Sequence, residues 1–114
     1  MAQILKRAEV LPDGMFALRA HPLSWCDSKS LGVATNEYHN VPAGAQYVIF
    51  SGTTDFYVRF NATQAGTAAA TIPGDVTDGT ACVLNPTQRY LGTEVLELAL
   101  ISPAACVVTM EFFK

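Results

Sequence analysis

At 114 residues, half of them hydrophobic and 15% charged, the chain is long enough for one packed core and carries fewer charges than the quarter usual in a soluble domain. Its formal net charge is −3, with seven Lys and Arg residues that are scattered except for the adjacent Lys6 and Arg7. Such a distribution offers no phosphate-neutralising patch, so a nucleic-acid partner is not expected. A domain so poor in charge has trouble covering itself as a monomer, which points to an oligomer or to a subunit of an assembly.

The elements follow in chain order. Gln3 to Leu11 and Met15 to Ala20 flank Pro12-Asp13-Gly14, a turn signature, and read as short strands. Lys6, Arg7 and Glu9 interrupt any apolar leader in this stretch, so no secretory signal is expected. Trp25, the sole tryptophan, reads as a core anchor or an interface anchor. Leu31 to Thr35 and Tyr38 to Val41 are weaker strands. Tyr47 to Phe50 is a short apolar run, and Asp55 to Asn61 alternates with Phe56, Val58 and Phe60 on one face and Tyr57, Arg59 and Asn61 on the other. Ser51 to Thr54 between them has the chemistry and length of a hairpin turn.

Ala62 to Arg89 is rich in Ala, Thr and Gly, and Asp75 and Asp78 are its only charged side chains before Arg89. It lacks the high charge of a disordered tail and is too long for an idle connection. The expectation is an ordered excursion, with a short strand near Cys82, held by its own domain or by a neighbour. Thr93 to Ile101 then places Leu96, Leu98 and Leu100 on one face. Ser102-Pro103-Ala104 forms a turn, and Cys106 to Phe113 alternates cleanly. The best membrane candidate, Val95 to Met110, is broken by Glu97 and Pro103 and is shorter than the ~20 residues a spanning helix needs. Six to eight short antiparallel strands, scarcely any helix and one long ordered loop make an all-β class, a β-sandwich of jelly-roll type spanning residues 1–114.

Chemistry-bearing groups are sparse. His21 and His39 are the only histidines, and neither an activated-serine elbow, a phosphate loop nor a zinc motif accompanies them. Asp75-Val76-Thr77-Asp78-Gly79-Thr80 has the outline of a calcium loop, but position 12 counted from Asp75 is Pro86 where a Glu is needed. An Asx turn is the simpler reading. Cys26, Cys82 and Cys106 are too far apart for a zinc site or a disulfide framework and read as small buried hydrophobes. No enzyme, metal or cofactor is expected. A cupin-like enzyme would need more metal ligands than two distant histidines. The candidate interface residues are the polar-aromatic row Tyr57, Arg59 and Asn61 and the apolar second faces of the C-terminal strands, Val95, Ile101, Val107 and Phe113.

The phrases Val41-Pro42-Ala43-Gly44-Ala45 through Asp55 to Phe60, Asp75 to Thr80, Leu84-Asn85-Pro86, and the ending Ser102 to Thr109 resemble small virion proteins of tailed bacteriophages, over about residues 41–113. The resemblance implies a structural particle component of the capsid decoration, cement or minor head type, assembled in the host cytoplasm. Its expected partners are further copies of itself, as a homodimer or trimer, and a major capsid or other virion protein. It implies no catalytic residues. The alternative is a binding module of a tail or fibre tip that recognises sugar or protein on a host surface.

Overall fold

Residues 5–6, 25–61 and 68–114 are described by a computed structural model, and they contain strands and no helix. Eight strands follow one another: β1 (Trp25–Leu31), β2 (Glu37–Asn40), β3 (Tyr47–Gly52), β4 (Tyr57–Asn61), β5 (Val83–Leu84), β6 (Gln88–Tyr90), β7 (Glu97–Ile101) and β8 (Cys106–Phe113). They form two four-stranded antiparallel sheets, ordered β1-β8-β3-β6 (sheet 1) and β2-β7-β4-β5 (sheet 2). First pairs with last, second with seventh, third with sixth and fourth with fifth. That nesting is a long hairpin rolled up so that its two arms alternate between sheets, the topology of a jelly roll. The all-β sandwich expected from the sequence is therefore the fold observed. The expected strands within residues 1–24, the Pro12-Asp13-Gly14 turn and His21 lie outside the described residues, apart from Leu5 and Lys6.

Two expected hairpins are corrected. Tyr47–Gly52 and Tyr57–Asn61 do not pair: β3 lies between β8 and β6, and β4 between β7 and β5. Likewise β7 and β8 sit in opposite sheets. In both cases the connection, 53–56 or 102–105, steps across the roughly 10 Å between stacked sheets. The two apolar faces then meet through the core instead of lying side by side. Alternation and turn residues are the same in either arrangement, so local pattern does not separate them. Gly52 permits the first crossing: a Cβ there would lie 2.5 Å from the ring of Phe56, which turns inward to 3% exposure.

The core fills the space between the sheets. β8 contributes Cys106, Val108, Met110 and Phe112, β3 contributes Val48 and Phe50, β4 contributes Val58, and β7 contributes Leu98 and Leu100, all buried. Phe60 packs against them and meets Phe50 edge-on at 6.0 Å. Trp25 joins the same core from the start of β1, half-buried. Leu96, expected on the face of Leu98 and Leu100, precedes the strand and is exposed.

Among the described residues, each edge of the sandwich carries a charged side chain turned toward the space between the sheets, a device that discourages edge-to-edge pairing. On the β1/β2 edge, Asp27 of sheet 1 bonds His39 Nε2 of sheet 2 at 2.9 Å and accepts from Trp25 Nε1 at 3.2 Å. The His39 ring stacks on Phe112, their centroids 6.0 Å apart. On the β6 edge, the Arg89 guanidinium covers Phe60 at 5.9 Å. His39 is thus an inter-sheet clasp.

Candidate interaction surfaces

The two outer faces of the sandwich differ, because the chain covers one of them itself. The described part of the excursion, from Ala68 to Cys82, runs over sheet 2, where Ala70 and Cys82 pack against Ala99 and Ile101 with Tyr38 and Tyr57 at the margin. Polar side chains tie it down. Asn61 Nδ2 donates to the Ala68 carbonyl at 2.8 Å, and the Ala70 N–H donates to Asn36 Oδ1 at 2.6 Å. The described part of the excursion is therefore held by its own domain, and β5 is its short strand beside Cys82. Further along, Asp78 Oδ1 accepts from the Thr80 N–H at 3.1 Å and the Thr80 hydroxyl at 2.6 Å. This is the expected Asx turn, and Thr80's hydroxyl and then its N–H hold the Asp78 carboxyl below the usual carboxylate range. Among the described residues no group of three His, Cys, Asp or Glu side chains comes together as a metal site.

This cover explains where the expected interface residues lie. Tyr57, Arg59 and Asn61 share the outer face of sheet 2 with Ile101, as their alternation implied. That face is occupied: Asn61 and Ile101 are buried by the chain itself, and Tyr57 and Arg59 are half-buried. Val95 is half-buried against the main core. Phe113, at the end of β8 where Lys6 bridges to it, is fully buried. For Asn61, Ile101 and Phe113, then, the apolar second face satisfies the chain's own packing and presents no side chain to a partner. Val107 alone of the seven is an exposed apolar side chain, 41% accessible on the outer face of sheet 1.

That face is left uncovered by the described residues over most of its area. Its register rows run Ser30–Val107, Ser28–Thr109–Ser51, and Cys26–Glu111–Ile49–Gln88, ending at Tyr47–Tyr90 beside Phe113. Among the described residues Glu111 is its only formal charge. Cys26 is exposed there, which corrects the buried placement expected for it; Cys82 and Cys106 are buried as expected. Partial burial, then the negative charges of Glu111 and Asp27, push the Cys26 thiol up from its ordinary value, so it stays protonated at neutral pH.

A second surface, which sequence reading passed over, forms at one end of the sandwich from three connections. The Ala34 N–H donates to the Ser102 carbonyl at 2.8 Å, tying the β1–β2 loop to the β7–β8 turn. Ser102 Oγ donates to the Asp55 carbonyl at 2.6 Å and accepts from the Ala104 N–H at 3.2 Å. The Thr53 N–H donates to the Val107 carbonyl at 3.1 Å, and the Val107 N–H returns a bond to Thr53 Oγ1 at 3.0 Å. The loops thus form one cross-braced unit in which Ala34 is held at φ 50°, a left-handed conformation that alanine seldom adopts. Val33 projects from this unit at 65% exposure, next to exposed Pro103, Ala104 and Ala105. Asp55 is the only formal charge in the three loops, and its carboxylate accepts a bond from Asn85 Nδ2 at 2.9 Å. The available signal was the absence of charge in Gly32–Asn36, Ser51–Thr54 and Ser102–Ala105, three segments that only the fold brings together.

No family model, curated protein or solved structure matches this chain.

Proposed function

We propose that the chain is a structural component of a virion, a capsid decoration or cement protein that seats its braced loop end on a shell protein. The observation that carries this reading is the loop end itself: Val33 is 65% exposed on a hydrogen-bonded platform with one formal charge. Preorganised apolar knobs of this kind lose little freedom on docking and gain from desolvation. An uncharged, alanine- and threonine-lined rim fits a shell surface with an apolar, uncharged recess. The absence of Lys and Arg from the three loops disfavours an anionic surface as the seat. The rest of the molecule suits a passive clamp, with both sheet edges blocked and one sheet roofed by the chain itself. Self-association, as a homodimer or trimer on the particle, belongs to the same reading.

The test uses particles purified from the infected culture that produces the chain. Mass spectrometry should find the chain in stoichiometric amounts. Particles stripped of it should rebind added wild-type protein, while Val33→Asp should rebind at least tenfold more weakly. Because Val33 is exposed, that substitution should leave stability within about 0.5 kcal/mol of the parent. Absence of the chain from clean particles, or full rebinding by Val33→Asp, contradicts the reading.

A further inference from the structure

Tyr47 and Tyr90 stand directly opposite each other on β3 and β6, at the other end of the sheet 1 outer face from the loop platform. Their ring centroids are 5.2 Å apart with planes inclined by 51°, and Tyr90 is 62% exposed although it sits in a strand. Gly92, whose φ of 63° is the left-handed conformation that favours glycine, lies beside the phenol. The next register row along the same face is Gln88–Ile49–Glu111, about 7 Å away at two residues along the strand. Beyond it come the hydroxyls of Ser51 and Thr109.

We propose that this end of sheet 1 binds a neutral oligosaccharide, one pyranose unit lying against Tyr90 and Tyr47 and the next reaching Gln88 and Glu111. The electron-rich face of an aromatic ring attracts the polarised C–H face of a pyranose. An amide and a carboxylate one sugar length further on supply donors and acceptors for the ring hydroxyls. Gln88 and Glu111 already make contacts within the protein, but each of these groups offers more than one hydrogen-bonding position. Among the described residues Glu111 is the only formal charge on this face and it is negative, so these residues favour neutral sugars over sialylated or sulfated ones. The site is independent of the proposed shell seat: β3 separates Tyr47 from the Gly52–Thr54 loop by roughly 17 Å.

The test is a titration of the 15N-labelled full chain with maltohexaose, cellohexaose, xylohexaose and chitohexaose, followed by NMR. At least one of these should give saturable shifts concentrated at Tyr47, Gln88, Tyr90 and Gly92. Tyr90→Leu, which keeps apolar bulk on the edge strand, should weaken that binding at least tenfold with the remaining resonances unmoved. If that variant misfolds, Gln88→Ala should weaken it at least threefold. Val33→Asp should bind like the parent, so that failure of the shell reading and failure of this one are told apart. No saturable shift with any of the four sugars at 20 mM, or unchanged binding by Tyr90→Leu and Gln88→Ala, overturns the proposal.

Discussion

Gly52 shows how one residue settles a path that the neighbouring pattern leaves open. With a Cβ at 2.5 and 2.7 Å from two ring carbons of Phe56, Gly52→Ala has to displace a ring buried to 3% and packed 6.2 Å from Phe50. The expected cost is about 1–3 kcal/mol, the usual range for forcing extra volume into a packed site. Gly74, where an added Cβ would meet nothing within 4 Å, is the control, and Gly74→Ala should change stability far less. Urea denaturation of both variants distinguishes them; equal midpoints would contradict the crossing described at Gly52. Cys26 gives a second residue-scale expectation. Its thiol is pushed up by partial burial, by Glu111 and by Asp27, so alkylation by iodoacetamide should rise only at a pH above that needed for a free cysteine. Glu111→Gln removes a negative charge that disfavours the thiolate and should move the profile to lower pH. A profile that does not respond to Glu111→Gln would contradict the electrostatic cause.

At the scale of elements, the strands were legible and their partners were not. The alternation of Val58 and Phe60, and of Val108, Met110 and Phe112, identifies inward faces because burial on one side leaves a period of two. The same alternation holds whether adjacent strands pair or face each other across a core, so both expected hairpins became sheet-to-sheet crossings. The strand that starts at Trp25 was missed because Cys-Asp-Ser-Lys-Ser reads as a loop, although Trp25 itself packs against the core, one of the two places expected for it. Those polar residues are tolerated because β1 is a sheet edge, with Ser28 and Ser30 outward and Asp27 and Lys29 turned to the margin of the core. The second apolar face of β7 was legible, and its partner was misassigned: the chain's own crossover covers Ile101 and Ala99. Removing Thr67 to Asp78 should therefore expose that face and destabilise sheet 2. A milder test keeps the crossover and loosens it. Asn36→Ala deletes the acceptor of the Ala70 N–H, a loss of about 1–2 kcal/mol. Hydrogen exchange at Ala70 and Cys82 should accelerate about tenfold while β8 amides stay protected. Uniform acceleration across both sheets would show that the crossover is no separate unit.

Over the whole molecule, the two proposed contact sites fall at opposite ends of one sheet and the loops that continue it. One sheet is roofed by its own chain, both edges are blocked by inward charges, and the remaining surface runs from braced apolar loops to an exposed tyrosine pair. The low charge content led to the expectation of an assembly, but the place where uncharged loops gather was not legible, since Val33, Thr53 and Pro103 meet only after the strands have rolled. The measurement that bears most directly on the proposed role is cryo-imaging of the intact particle. The account predicts jelly-roll density on the shell with Val33, Pro103 and Ala104 seated against a shell protein and Tyr90 turned to solvent. Density that seats the Tyr47–Tyr90 end on the shell and leaves Val33 in solvent would contradict it.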